Sequence, residues 1–151
     1  MVRLSTNFTL SELIKSQTCE RHGIDNTPNK EQIINLRTLC ENILEPVRSH
    51  YGVAITPSSG FRCVQLCEII GSSARSQHTK GEAVDFEVAG IDNYECAKWI
   101  ESNLTYDQLI LECYRGGNTG WIHCSYTYKD AMRGESLTYD GKNYVHGLVR
   151  E

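Results

Sequence analysis

The sequence predicts an α+β fold in which helices pack on one side of a small antiparallel sheet, leaving the other sheet face open for a site. Three observations predict it. Apolar residues recur at three- and four-residue spacing through the first third of the chain. From Val84 onward, short runs alternate apolar with polar residues, the period of half-buried strands. A single amphipathic stretch, Ile91 to Asn103, interrupts those runs with helical spacing.

The elements follow in order. Thr9-Leu10-Ser11-Glu12 places hydroxyl residues ahead of an acidic first turn, a helix start. Thr27-Pro28-Asn29-Lys30-Glu31 opens a longer helix on which Ile33, Ile34, Leu36, Leu39, Cys40, Ile43, Leu44 and Val47 recur at three- and four-residue spacing. Pro46 near its end predicts a kink or a separate last turn, because proline has no N–H to donate. Val53-Ala54-Ile55-Thr56 reads as a short strand, and Cys63 to Ile70 as a short helix stopped at Gly71. Strands are expected at Val84 to Val88, Asp107 to Cys113 and Trp121 to Tyr126. Leu137-Thr138-Tyr139 and Asn143-Tyr144-Val145 flank Asp140-Gly141-Lys142, a hairpin signal.

With 151 residues the chain is expected to form one domain over 1–151. A helical part runs to about residue 52, a sheet part with the site spans about 53–128, and the hairpin lies at about 134–148. The formal net charge of -4 argues against a broad nucleic-acid surface. No apolar run approaches the roughly 20 residues of a membrane span, and the N-terminus lacks the apolar segment of a secretory signal. The expectation is therefore a protein made in the cytoplasm, monomeric and not inserted in membranes. Its seven cysteines are odd in number and form no paired metal motif, so they are read as reduced, mostly buried thiols.

The most informative stretch is Ser76-Gln77-His78-Thr79-Lys80-Gly81-Glu82-Ala83-Val84-Asp85. A neutral imidazole and a carboxylate are both ligands for zinc, and Gly81 lets the chain fold back between them. Gly120-Trp121-Ile122-His123 supplies a third candidate on a strand. His78, Asp85 and His123 would form a His, Asp, His site with one open position, as in a catalytic zinc site. Alternation agrees: Asp85 faces away from Val84 and Phe86, His123 away from Ile122 and Cys124, and Glu112 away from Leu109 and Leu111.

These residues resemble the zinc D-alanyl-D-alanine peptidases and the bacteriophage endolysin peptidases, closest to a small phage and prophage branch. The motif Ser-x-His-x-x-Gly-x-Ala-x-Asp, the later Trp121-Ile122-His123, the upstream Ser59-Gly60-Phe61-Arg62 and the strand Asp107 to Glu112 carry the resemblance. It implies a fold shared with the zinc-bearing hedgehog signalling domain. It also implies zinc held by His78, Asp85 and His123, and substrate contacts from Arg62 and Ser76. The implied activity is hydrolysis of peptidoglycan stem peptides, at a D-Ala-D-Ala or an L-Ala-D-Glu bond, in cell-wall lysis or remodelling. Such an enzyme would reach the wall after release, or travel with a virion.

One departure stands out. Better-known members carry Glu or Asp three residues before the last histidine, where this chain has Gly120. Glu112 is the expected replacement as proton acceptor, with Glu87 a weaker candidate; Arg62 would stabilise the oxyanion. Two other readings stay open: a zinc-bearing binding module without turnover, and a virion structural protein that keeps the fold.

Overall fold

The computed structural model describes residues 2–129 and 131–150. Two short helices, α1 (Leu10–Ile14) and α2 (Gln17–His22), lead into α3 (Lys30–Leu39). The start of α3 is closed by a reciprocal cap: Asn29 Oδ1 accepts from the Gln32 N–H at 2.8 Å, and Gln32 Oε1 from the Asn29 N–H at 2.7 Å. A π-helical turn, Cys40–Leu44, then joins α3 to α4 (Glu45–Tyr51). It lies just ahead of Pro46, where the missing N–H forces the hydrogen-bond ladder to relax. The predicted kink is therefore a local widening of one continuous helical path.

The helix α5 (Val64–Ile70) ends at Gly71, as its sequence predicts, and α6 (Asn93–Asn103) is capped by Asp92, whose side chain accepts from the Glu95 N–H at 2.9 Å. Five strands form one sheet: β1 (Ala83–Phe86), β2 (Gln108–Glu112), β3 (Trp121–Ser125), β4 (Glu135–Tyr139) and β5 (Tyr144–His146), in the order β1-β3-β2-β4-β5. The fold is α+β, as the periodicity implies. Leu36, Leu39, Ile43 and Val47 of the long helical path, with Ile100 of α6, bury against Phe86, Leu109, Leu111 and Ile122 of the sheet. Each such side chain contributes about 1.5–3 kcal/mol on burial.

Two expectations are corrected. The sheet is mostly, not wholly, antiparallel, since β2 pairs with β4 in parallel. The chain leaving β3 doubles back to the entrance of β2, where Gly134 N–H donates to Tyr106 O and Glu135 N–H to Asp107 O, so β4 starts beside the start of β2. The segment Val53–Thr56 is not a strand. Ile55 is buried, but Pro57 offers no donor, and pairing with β1 begins only beyond it, at Ser58 and Ser59 against Asp85. The seven cysteines are all free and five are buried. The hairpin of β4 and β5 forms where its turn signal lies.

Asp107, buried at the entrance of β2, ties this crossover down. It accepts from the Arg133 N–H at 2.9 Å, from Arg133 Nε at 3.1 Å and Nη2 at 2.8 Å, and from Gln77 Nε2 at 3.0 Å. The bonds from the Arg133 side chain hold the Asp107 carboxyl below the usual carboxylate range, against the opposing effect of burial. A lowered folded value means the stabilisation is complete above the unfolded value of about 3.9 and is lost as pH falls through the folded one. Because the guanidinium is half exposed, Asp107→Asn is expected to cost about 1–2 kcal/mol at pH 7. Denaturant unfolding at pH 7 and pH 3 checks this: the difference from wild type should shrink at pH 3, and an undiminished difference contradicts it.

Candidate metal centre and its cleft

The sheet register sets up the site before any side chain is considered. Asp85 on β1 lies directly opposite His123 on β3, and His123 opposite Ile110 on β2, so these alternate residues share the open face. On that face Glu112 pairs with Trp121. His78 arrives from a short 3-10 turn, Gln77–Lys80, whose start is capped by Ser76 Oγ accepting from the His78 N–H at 3.2 Å. Gly81 ends the turn at φ +76, and a Cβ there would fall 2.6 Å from Gln32 O. Only glycine combines that left-handed turn with so close an approach to α3.

Helix α3 clamps the turn. Gln32 Nε2 donates to Thr79 O at 3.0 Å, and Asn35 Nδ2 to Lys80 O at 2.8 Å. The Arg62 N–H donates to His78 O at 3.1 Å, joining the Ser59–Arg62 segment to the same turn. Ser76 and Arg62 both line the cleft, but Ser76 Oγ is engaged as the turn's cap.

His78, Asp85 and His123 converge, with one ligand-type atom from each lying within 4.8 Å of the others. Asp85 Oδ1 is 3.0 Å from His123 Nδ1 and 3.4 Å from His78 Nε2. The other ring nitrogen of His78, Nδ1, is 2.7 Å from Gly60 O, which accepts its proton and leaves Nε2 with a free lone pair toward the centre. Burial would raise the Asp85 carboxyl, yet the bond from His123 and the closeness of the His78 ring outweigh it and hold the group well below the usual range. Burial pushes His78 the other way, toward the neutral ring. Two imidazoles and an ionised carboxylate aimed at one point form a donor set that fits zinc.

Arg62 braces the carboxylate from behind. Its Nη2 donates to Asp85 Oδ2 at 3.0 Å and its Nε to Ser59 Oγ at 2.8 Å, using two of the five N–H donors that a guanidinium has. The remaining donors are available to a carboxylate or carbonyl in the cleft.

The cleft has a volume of about 410 Å³. Glu112 lines it, accepting from Trp121 Nε1 at 2.8 Å. Burial, reinforced by the negative charge of Asp85, raises the Glu112 carboxyl above its ordinary value. Glu87, the weaker candidate, is displaced: it is exposed, accepts from Asn93 Nδ2 at 3.1 Å, and lines a different cavity. The strand β1 ends at Phe86, so Glu87 no longer follows its alternation.

Sequence reasoning missed several lining residues. Gln108 could have been read from the alternation of β2 and Arg75 from its place beside Ser76, but Arg133 and Tyr144 come from distant segments and carry no local signal. Tyr144, on the predicted hairpin, is exposed at the cleft.

The missing carboxylate at position 120 has a physical reason. Gly120 has φ +67, and a Cβ on it would lie 2.0 Å from Glu112 O and 2.6 Å from Cys113 C. The backbone of β2 occupies the place a side chain would need, so no acid can sit there in this chain.

The fold and the cleft define a class: an α+β protein with three convergent ligand-type side chains beside a partly buried glutamate, the requirements of a metal-assisted hydrolase. A family model for Peptidase M15 matches residues 6–125. The chain belongs to that family, the zinc D-Ala-D-Ala carboxypeptidase-like peptidases, whose members are typically metal-dependent. No curated protein matches the chain.

Gly120→Ala is expected to lower stability by at least about 2 kcal/mol, combining left-handed strain with the backbone clash. Denaturant unfolding measures it, and a midpoint equal to wild type would contradict the close approach of β2.

Proposed function

We propose that this protein is a zinc peptidase that hydrolyses a peptide bond in peptidoglycan stem peptides, of the D-Ala-D-Ala or the L-Ala-D-Glu type, acting at the cell wall. The observation that carries the reading is the meeting of His78, Asp85 and His123 in a cleft that also holds Glu112. Membership in the peptidase family supports it.

Each residue has a part. His78, Asp85 and His123 hold the cation. Bound there, zinc would lower the pKa of its water toward about 7 and polarise the scissile carbonyl. Glu112 takes the proton from the attacking water at its carboxylate and returns it to the leaving amine. A raised proton affinity in a partly dry site suits both halves of that task. Trp121 Nε1 holds the carboxylate in place while it does so. Arg62 turns its remaining donors toward the developing oxyanion and holds Asp85 Oδ2 in place. Ser76 shapes the turn that carries His78 and borders the bound peptide.

A second reading, a zinc-bearing binding module without turnover, is favoured by the absence of an acid at position 120. One assay separates the two. Wild type and Glu112→Gln, each loaded with zinc, are incubated with purified cell wall and with a stem pentapeptide, and products are read by mass spectrometry. The expected result is cleavage by wild type and a loss of about 10²–10⁴-fold in Glu112→Gln, with equal zinc content. Stoichiometric zinc with no released amine from either protein would refute the peptidase reading and leave the binding module. The product masses identify the bond.

His123→Ala is expected to lower zinc content from one ion per chain to a small fraction, measured by elemental analysis after dialysis. Retention of a full equivalent would remove His123 from the ligand set.

A further inference from the structure

A second groove lies on the other side of Arg62 from the metal cleft. Its volume is about 430 Å³, against about 410 Å³ for the cleft, and both fall in the roughly 300–1,000 Å³ range of small-ligand sites. Arg62 lines both, so the two hollows meet at one side chain. The charge of the two differs. The cleft contains the carboxylates Asp85 and Glu112, whereas the charged residues lining the groove are Lys15 and Arg62, both cationic. Among the described residues no Asp or Glu lines it, in a chain whose net charge is -4. The charged groups lining the groove are thus opposite in sign to the protein's net charge.

We propose that this groove binds a carboxylate-bearing, non-reacting part of the substrate peptide while the scissile bond lies in the metal cleft. The inference rests on the peptidase reading above and extends it to the substrate's flank.

The wall between the two hollows is rigid. The Ser58 N–H donates to Asp85 O at 2.9 Å and the Asp85 N–H to Ser59 O at 2.8 Å, while Ser58 Oγ donates to Asp85 O at 3.1 Å. A peptide resting on Ser58 and Ser59 therefore sits at a fixed distance from the residue at the heart of the metal centre. Phe61 and Leu66, both buried, close the bottom, and the exposed Ile70 extends an apolar edge. Lys15 is exposed, free to meet an anion with its ammonium at the mouth. Cationic groups over an apolar bottom suit an acidic peptide that also carries aliphatic side chains. A stem peptide has this chemistry: its γ-linked D-glutamate keeps a free carboxylate next to the aliphatic L-alanine. Binding energy gathered there positions the reacting bond, so its loss appears mainly in KM if the flank contributes equally before and at the transition state.

The test uses the zinc-loaded full chain and two probes, the pentapeptide L-Ala-γ-D-Glu-L-Lys-D-Ala-D-Ala and its analogue in which the free glutamate carboxylate is a carboxamide. Backbone amide shifts are followed by NMR with Glu112→Gln protein, and rates with wild type, Lys15→Glu and Thr56→Asp. Both substituted positions are exposed, so the fold should tolerate them. The expected result is that the carboxylate peptide shifts the amides of Lys15, Thr56 and Ile70, and that the carboxamide binds about tenfold more weakly. Each variant, one reversing a positive charge and one adding a negative charge, should raise KM by about tenfold with kcat within about twofold of wild type. Unmoved groove amides, equal affinity for the two probes, or an unchanged KM in both variants would overturn the proposal. Should no peptide be cleaved, the catalytic reading fails, and the NMR arm alone still decides the groove. Concentration-dependent dimerisation abolished by Thr56→Asp, with no peptide shifts, would show the groove to be a contact between copies and also overturn it.

Discussion

The structure depends most on the buried carboxylate of Asp85. An ionised acid taken out of water costs several kcal/mol unless partners surround it. Here every polar atom of the residue is used: Oδ1 faces His78 and His123, Oδ2 accepts from Arg62, and the backbone N–H and C=O hold the Ser58–Ser59 segment. Four separate parts of the chain meet at this residue: the Ser58–Arg62 segment, the turn carrying His78, β1 and β3. Two of the partners that offset the cost of burial, His78 and His123, are also the imidazoles that could share a cation with Asp85. The helical path behind it, through Gln32 and Asn35, keeps the turn from drifting away.

Gly120 and Glu112 meet through the backbone of β2. A chain in which β2 passes within 2.0 Å of a Cβ at position 120 has no room for an acid there. It does have a glutamate one strand away, on the open face of β2, held by the indole of Trp121. The close backbone contact accounts for the glycine, and the carboxylate nearest in the sheet is the one on the adjacent strand.

Much of this was legible in the sequence, for reasons that differ by element. The strands β1, β2 and β3 announce themselves because one face of each is buried, and alternation then also says which residues point to the cleft. That is why His123, Asp85 and Glu112 could be placed on one face before the register was known. The turn carrying His78 is written in its cap and in Gly81. The parallel pairing of β2 with β4 was not legible, because it follows from where the chain after β3 anchors on Asp107 through Arg133, a contact spanning 26 residues. Val53–Thr56 has strand-forming residues, but it pairs with no strand, and the bridge to β1 forms only beyond Pro57, at Ser59. Glu87 looked equivalent to Asp85 by alternation, and the strand ended one residue too soon. Tyr144 reaches the cleft from the hairpin, with nothing around it in sequence to say so.

The account's central claim is that three side chains remote in sequence hold one cation with a position left open. The most direct measurement is a crystal structure of the zinc-loaded protein with anomalous data at the zinc edge. The account predicts one strong peak within about 2.0–2.2 Å of an imidazole nitrogen of His78, an imidazole nitrogen of His123 and a carboxylate oxygen of Asp85, with solvent at the fourth position. A peak elsewhere, or none at these residues in a folded crystal with zinc present, would contradict it.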